Sequence, residues 1–511
     1  MITHLSVREQ VDLISKREIK VEELFQEYLS NIEKLNPKLN AIVSLRDKDW
    51  IIDKAKAQDA QKVDVTRKQI LFGLPFVSKE LFDVTGLPTT YGILEYQNNF
   101  PQNDSLIAKK IKHQGATIIG KSNMAELAIG SHTKNKLFDP VSNPYNYNLS
   151  PGGSSGGASA AVASCLIPFS DGTDMMGSCR NPAAFTNLYG FRPSPGLISD
   201  KRETSKFPVL TTPGGIARTP DDLSIFLDAV VGKDIEDPYS FNFEGSFQSI
   251  TKNLSSEIKI GWINNFVEHY SFEEGINELC EASLNKLVET DKKIFVEQCK
   301  VNIDPDKLWD TWCTLRSKIT FNDISAMQIK DFDELSFPAK WEYEEGSKVS
   351  DDQVSNSIDW YNNYKKYVDS IFEKYDFIAL PSAQLFPFNK EIDFPKSISK
   401  TQMDTYHRWM EVTVFASMFQ LPAISVPVGF NAEGLPMGMQ LIGKNKSDER
   451  PEEDRSQARE DEDAARGAAA EMEPLKKNNN PIEMGGYVGG ADVAGGNSLY
   501  KTVLSELTPI L

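Results

Sequence analysis

Apolar residues recur at intervals of three and four through the opening stretch MITHLSVREQVDLISKREIKVEELF, with charges filling the positions between. That spacing predicts two amphipathic helices over residues 7–35, the second ended by Pro37. Short apolar runs follow, and they predict strands at 41–43 and 74–77. A helix is expected over 106–115, ahead of a strand at 116–120. Helices and strands alternating in this way favour an α/β fold in which helices pack on both faces of a mixed sheet.

With 511 residues, 40% of them hydrophobic, the chain can bury an extensive core. The N-terminus lacks the cationic start and apolar run of a signal peptide, and no apolar passage is long enough to span a bilayer, so a cytoplasmic, soluble protein is expected. A formal charge of −18 disfavours nucleic acid and anionic lipid as partners.

Chemistry concentrates between residues 151 and 184, where the loop PGGSSGGASAAVAS is followed by GTDMMGSCRNPA. A hydroxyl is a poor nucleophile unless a base takes its proton. Upstream, FGLPFVSKELFDVTGLPTTYG carries Lys79 in an apolar setting, and a lysine that loses its charge on burial is a base. Taken singly, each feature has an ordinary explanation: a glycine-serine run is a flexible turn, and a lone lysine is a snorkelling surface residue. Their conjunction points to serine chemistry. The glycine run is no phosphate loop, because no Gly-Lys-Ser/Thr closes it. Cys179 has no poised imidazole to activate it among His4, His113, His132, His269 and His407, so it is expected to be a small apolar side chain. Metal hydrolysis is not indicated either, since HExxH, paired CxxC and His-x-His spacings do not occur.

The three segments GLPFVSK, GGSSGG and DMMGSCRNPA resemble, in order and spacing, the signature of the amidase signature family of serine amide hydrolases. The resemblance implies a central twisted mixed sheet covered by helices on both faces, and a Ser-cisSer-Lys triad that needs no cofactor and no metal. Carried onto this chain, Ser178 is the nucleophile, Ser154 the bridging serine after a cis peptide, and Lys79 the base, with Ser155 the rival for the bridge. The backbone of Met175, Met176, Gly177 and Ser178 is expected to form the oxyanion hole, and Asp174 and Arg180 to hold the nucleophile turn. Two positions depart from the pattern: Met176 stands where most members carry glycine, and Glu80 replaces an aspartate. The segments GKSNMAELAIGS (120–131), YGFRPS (189–194) and LPAISVPVGFNAEGLPMGMQLIG (421–443) continue the likeness.

The implied activity is hydrolysis of a small or medium linear carboxamide through an acyl-enzyme, and a homodimer is left open. Three alternatives stand beside it: a glutamine-amidase subunit of an aminoacyl-tRNA amidotransferase, an oligoamide or ester hydrolase, and a non-catalytic binding protein of the same fold. The catalytic domain is expected over residues 1–446. Within it, residues 234–370 carry no motif and suit a variable insertion that builds a substrate pocket; Trp309, Trp312 and Trp341 could line that pocket or pack helices. Residues 447–497 are dense in charge and glycine and are expected to be disordered, and residues 498–511 to form a short helix.

Overall fold

The computed structural model describes residues 1–61, 69–243, 245–249 and 257–446. The sequence expectations for 447–497 and 498–511 lie outside the described residues. Helix α1 (Val7–Ser15) begins on a reciprocal cap, in which Ser6 Oγ accepts the Glu9 N–H and the Glu9 carboxylate accepts the Ser6 N–H. Helix α2 (Val21–Leu39) buries Leu24, Phe25, Tyr28, Leu29 and Ile32, the stripe that its period foretold. It runs past Pro37, contrary to the sequence expectation. A proline in the last turn removes one hydrogen bond only, and the helix closes on left-handed Asn40, whose N–H donates to the Asn36 carbonyl at 2.7 Å.

The chain continues through α3 (Lys48–Asp59), β1 (Pro75–Lys79), α4 (Leu106–His113), β2 (Thr117–Ser122), α5 (Gly156–Ala163), β3 (Phe169–Asp174), α6 (Arg180–Phe185), β4 (Tyr189–Arg192), β5 (Thr212–Ala217) and α7 (Pro220–Val230). Then come β6 (Ile258–Ile263), α8 (Asn264–His269), α9 (Ile276–Thr290), β7 (Ile294–Cys299), α10 (Pro305–Met327), α11 (Phe337–Lys348), α12 (Asp351–Ile371) and β8 (Phe377–Pro381). A two-residue hairpin, β9 (Ser397–Ile398) and β10 (Thr401–Gln402), precedes α13 (Val414–Met418), β11 (Ala423–Phe430) and β12 (Pro436–Ile442). Residues 41–43 form no strand; Ile42 makes a single bridge to Ser122.

The main sheet orders its eight strands β3-β5-β4-β11-β12-β8-β6-β7, antiparallel from β3 to β8 and parallel across β8, β6 and β7. Helices cover both faces. Successive residues of a strand point to opposite faces, and a Cβ on Gly214 of β5 would meet Cys179 Sγ, beside α6, while one on Gly215 would meet Phe226 and Leu223 of α7. Strands β1 and β2 form a separate parallel pair. Side chains fasten β1 to β3: Asp171 accepts from Ser78 Oγ at 2.6 Å and from the Lys79 N–H at 2.7 Å, and Ser170 Oγ donates to the Val77 carbonyl at 3.1 Å. Lys79, at the end of β1, is thereby set against the strand that leads to the Ser178 turn.

Trp309 and Trp312 are core residues, 4% and 0% exposed, and Trp341 packs edge-on against Tyr406 and His407. Packing therefore takes Trp309 and Trp312, while Trp341 is half-buried against the Tyr406 and His407 rings. Among the described residues, no helix is long and apolar enough to cross a membrane.

Candidate active site

The glycine-serine loop enters α5 between backbones that leave no room for side chains. A Cβ on Gly157 would fall 2.3 Å from the Asn123 carbonyl, so glycine is required there by close approach. Thr133 ties the loop down, its Oγ1 donating to the Gly152 carbonyl at 2.8 Å and accepting the Gly156 N–H at 3.0 Å. The Gly153–Ser154 peptide is cis.

Within this frame the amine of Lys79 lies 2.8 Å from Ser154 Oγ, 2.9 Å from Ser155 Oγ and 2.7 Å from Thr173 Oγ1. Distance alone does not separate the two serines. Lys79 is fully buried, and loss of hydration pushes its pKa down to about 8 against the opposing charges of Asp171 and Asp174. Burial likewise pushes the Asp171 carboxyl up to about 6, partly offset by the hydrogen bonds from Ser78 and the Lys79 N–H. Behind them, Glu80 and Lys121 face each other at 3.9 Å, and desolvation drives both toward their neutral forms.

Ser178 stands on a turn organised by Asp174. That carboxylate accepts the backbone N–H groups of Gly177 at 2.9 Å and Cys179 at 3.2 Å, together with Nε and Nη2 of Arg180 at 3.1 and 2.9 Å. Arg180 reaches on to Gln440 Oε1 at 2.6 Å and Ser417 Oγ at 2.8 Å, which anchors the turn to β12 and α13. Burial alone would raise the Asp174 pKa, but Arg180 and Arg192 hold it well below the usual carboxylate range. The left-handed residue of the turn is Gly177, at φ +83°, where a Cβ would also strike Thr413 Cγ2 at 2.8 Å. Met176 has no positive φ and is buried in the core at 3% exposure, so the fold accommodates its side chain where the family pattern has glycine. Because the Gly177 N–H is already given to Asp174, the four expected oxyanion donors narrow to Met175, Met176 and Ser178, whose N–H groups make no hydrogen bond among the described residues.

Ser178 and Thr173 share the wall of a cavity of about 230 Å³ whose lining also includes Leu81, Tyr91, Leu127, Met175 and one face of α10. Thr173 thus links the Lys79 amine to the cavity wall. The structure brings Lys79, Ser154 and Ser155 to one point; Ser178 makes no hydrogen bond to either serine among the described residues. Cys179 is fully buried, and desolvation pushes its thiol well above the ordinary range, leaving no available thiolate. A second cavity of about 300 Å³, bordered by Ser131, Lys134, Phe337 and Trp409, contains none of these groups.

Several participants escaped the sequence reading. Thr173 and Asp171 lie in β3 within one to three residues of Asp174, a proximity that could have flagged them. Arg316 and Asp323 come from the stretch without motifs, and only their shared helix face, four and three residues apart through Thr320, could have grouped them.

Comparison with known proteins identifies the family of the chain. The Amidase family model matches residues 23–450. A glutamyl-tRNA(Gln) amidotransferase subunit from Sulfurihydrogenibium sp. is 28% identical over 469 residues, covering 86% of this chain and 93% of its own; its counterpart from Staphylococcus haemolyticus is 29% identical over 470 residues, covering 87% and 94%. Among solved structures, a bacterial aryl acylamidase of the amidase signature family superposes with a TM-score of 0.78 at 26% identity, covering 87% of this chain and 93% of the other. The glutamyl-tRNA(Gln) amidotransferase subunit from Thermotoga maritima does so with a TM-score of 0.68 at 26% identity, covering 87% and 92%. A family match over more than four-fifths of the sequence, on the same α/β fold, means that the chain belongs to the amidase signature family.

Proposed function

We propose that the protein hydrolyses a linear carboxamide through a serine acyl-enzyme, with Ser178 as nucleophile, Ser154 as proton relay and Lys79 as base. The observation that carries this reading is the buried Lys79 amine, held within 2.9 Å of three hydroxyls and depressed to a pKa of about 8. A neutral amine has two N–H donors and one lone pair, so three hydroxyl partners suit it: Ser155 and Thr173 accept, and Ser154 donates into the lone pair. Ser154, so polarised, draws the proton of Ser178 as substrate closes the gap between them. Hydrogen bonds of this kind are often loose in a free enzyme and tighten in the Michaelis complex.

Ser178 Oγ forms a bond to the amide carbon, and its proton passes through Ser154 to Lys79. The oxygen that becomes negative is stabilised by the free N–H groups of Met175, Met176 and Ser178, each worth about a hundredfold or more in rate when preorganised. The proton then returns through the relay to the leaving nitrogen as the C–N bond breaks, and water repeats the sequence to free the acid. Asp174 and Arg180 act as positioning residues for the turn, and Ser155 for the lysine. The reading requires no cofactor or metal, and it takes a small amide as the partner in a cytoplasmic setting.

A second reading is supported by the names of the relatives, which are amidotransferase subunits: glutamine would be the amide, and its ammonia would pass to a partner protein. One experiment addresses both. Active protein is treated with a fluorophosphonate and mapped by peptide mass spectrometry, and ammonia release is measured over a panel that includes glutamine. The proposal expects the label on Ser178 and its loss in Ser178→Ala. Label on Cys179, or none on active protein, overturns it. Turnover confined to glutamine selects the second reading.

A further inference from the structure

Resting on the assignment of Ser178 as nucleophile, the inference concerns the far end of its cavity. Helix α10 turns one face into this space, presenting Arg316, Thr320, Asp323, Ile324 and Met327. Arg316 marks the near end, because its Nη1 lies 3.4 Å from the sulfur of Met175, three residues before Ser178. Asp323 follows seven residues later, which at 1.5 Å per residue displaces it by about 10 Å along the helix axis.

The two charges on this face differ in their partners. Arg316 is spoken for: its Nε pairs with Glu342 at 3.0 Å, and its Nη2 donates to the Tyr406 hydroxyl at 2.6 Å, which in turn donates to Glu342 at 2.6 Å. Asp323 has neither a hydrogen bond nor an ion pair among the described residues. Asp323 lines the cavity and is exposed, so its carboxylate is accessible to a ligand entering there. We infer that Asp323 is a specificity determinant that binds a basic nitrogen, so that the favoured substrates are amides whose acyl chain carries an ammonium group at the end remote from the scissile carbonyl.

The apolar walls between the two ends suit the methylenes of such a chain, and a lone carboxylate without a protein partner offers one ion pair to a monovalent cation. One carboxylate is too few for a divalent ion. Desolvation raises the Asp323 carboxyl to about 6, and the other titratable or charged groups on the cavity are Tyr91, itself raised to about 12, and the paired Arg316. Below pH 6, therefore, the charge that selects the cation disappears while a substrate amine stays protonated.

The test uses three primary amides of equal chain length ending in an ammonium, a methyl or a carboxylate group. The wild-type protein is expected to prefer the first over the third by at least about tenfold in kcat/KM at pH 8. Asp323→Asn is expected to abolish that ranking, and in the wild-type protein the ranking should collapse as pH falls through 6, with no variant needed. The same amides are titrated calorimetrically into Ser178→Ala and into Ser178→Ala/Asp323→Asn. Binding of the ammonium amide that depends on Asp323, without turnover of any amide by wild type, would sustain the inference and overturn the hydrolytic proposal. Equal kcat/KM for the ammonium and methyl amides, a preference that survives Asp323→Asn, or binding indifferent to Asp323 overturns the inference even where hydrolysis stands.

Discussion

If Lys79 works as a neutral base, the rate must follow its ionisation. With an ordinary lysine pKa of 10.5, only about 0.03% of the amine would be neutral at pH 7; at the depressed value of about 8 the fraction is close to a tenth. Burial thus enlarges the population of active base about 300-fold at neutral pH. The sign is fixed by a pKa that has moved down: kcat/KM should rise about tenfold between pH 7 and pH 9 and level off above. Folding responds in the same direction. A lysine whose folded pKa lies below its unfolded value destabilises the protein while protonated, by about 3 kcal/mol here, and that penalty is relieved as pH climbs from 8 towards 10.5. The assay is ammonia release from an uncharged amide across this range, so that the Asp323 carboxyl contributes nothing. Replacing Lys79 by methionine keeps the bulk and removes the base, and should cost about 10³-fold in turnover. A profile flat from pH 7 to 9, or a folded Lys79→Met protein that remains active, would refute the argument.

Ser154→Ala is expected to lose about 10³-fold in kcat and Ser155→Ala about tenfold, since only the first carries the proton; equal losses, measured on the same amide, would unseat the relay assignment. Arg180→Met should lower stability by about 3 kcal/mol in denaturant titration, because it leaves the buried Asp174 carboxylate facing Arg192 alone at 3.6 Å. An unchanged midpoint would mean that Asp174 does not depend on Arg180.

Local features of this chain were legible because local rules produce them. The stripe on α2 follows from a 3.6-residue period, and the glycines of residues 152–157 and Gly177 follow from close backbone approach and a left-handed turn. Where the local rule was weak, tertiary context prevailed. Pro37 cost α2 only one hydrogen bond in its last turn, and residues 41–43 found a single bridge partner in place of a ladder. Trp309 and Trp312 went to the core because large apolar surface is buried wherever helices meet, and no spacing distinguishes that fate from a pocket.

The family likeness, the alternation of helices and strands, and the serines and lysine worth watching can all be read along the chain. Folding is what brings the Lys79 amine to Ser154, 75 positions further along the chain, and to Thr173, 94 positions further, where burial shifts its ionisation. The same holds for the Gly177 N–H, which donates to Asp174, and for α10, which carries Arg316 to Met175 and Asp323 to the cavity wall. Desolvation and charge pairing depend on what packs around a group, and those neighbours come from distant parts of the chain.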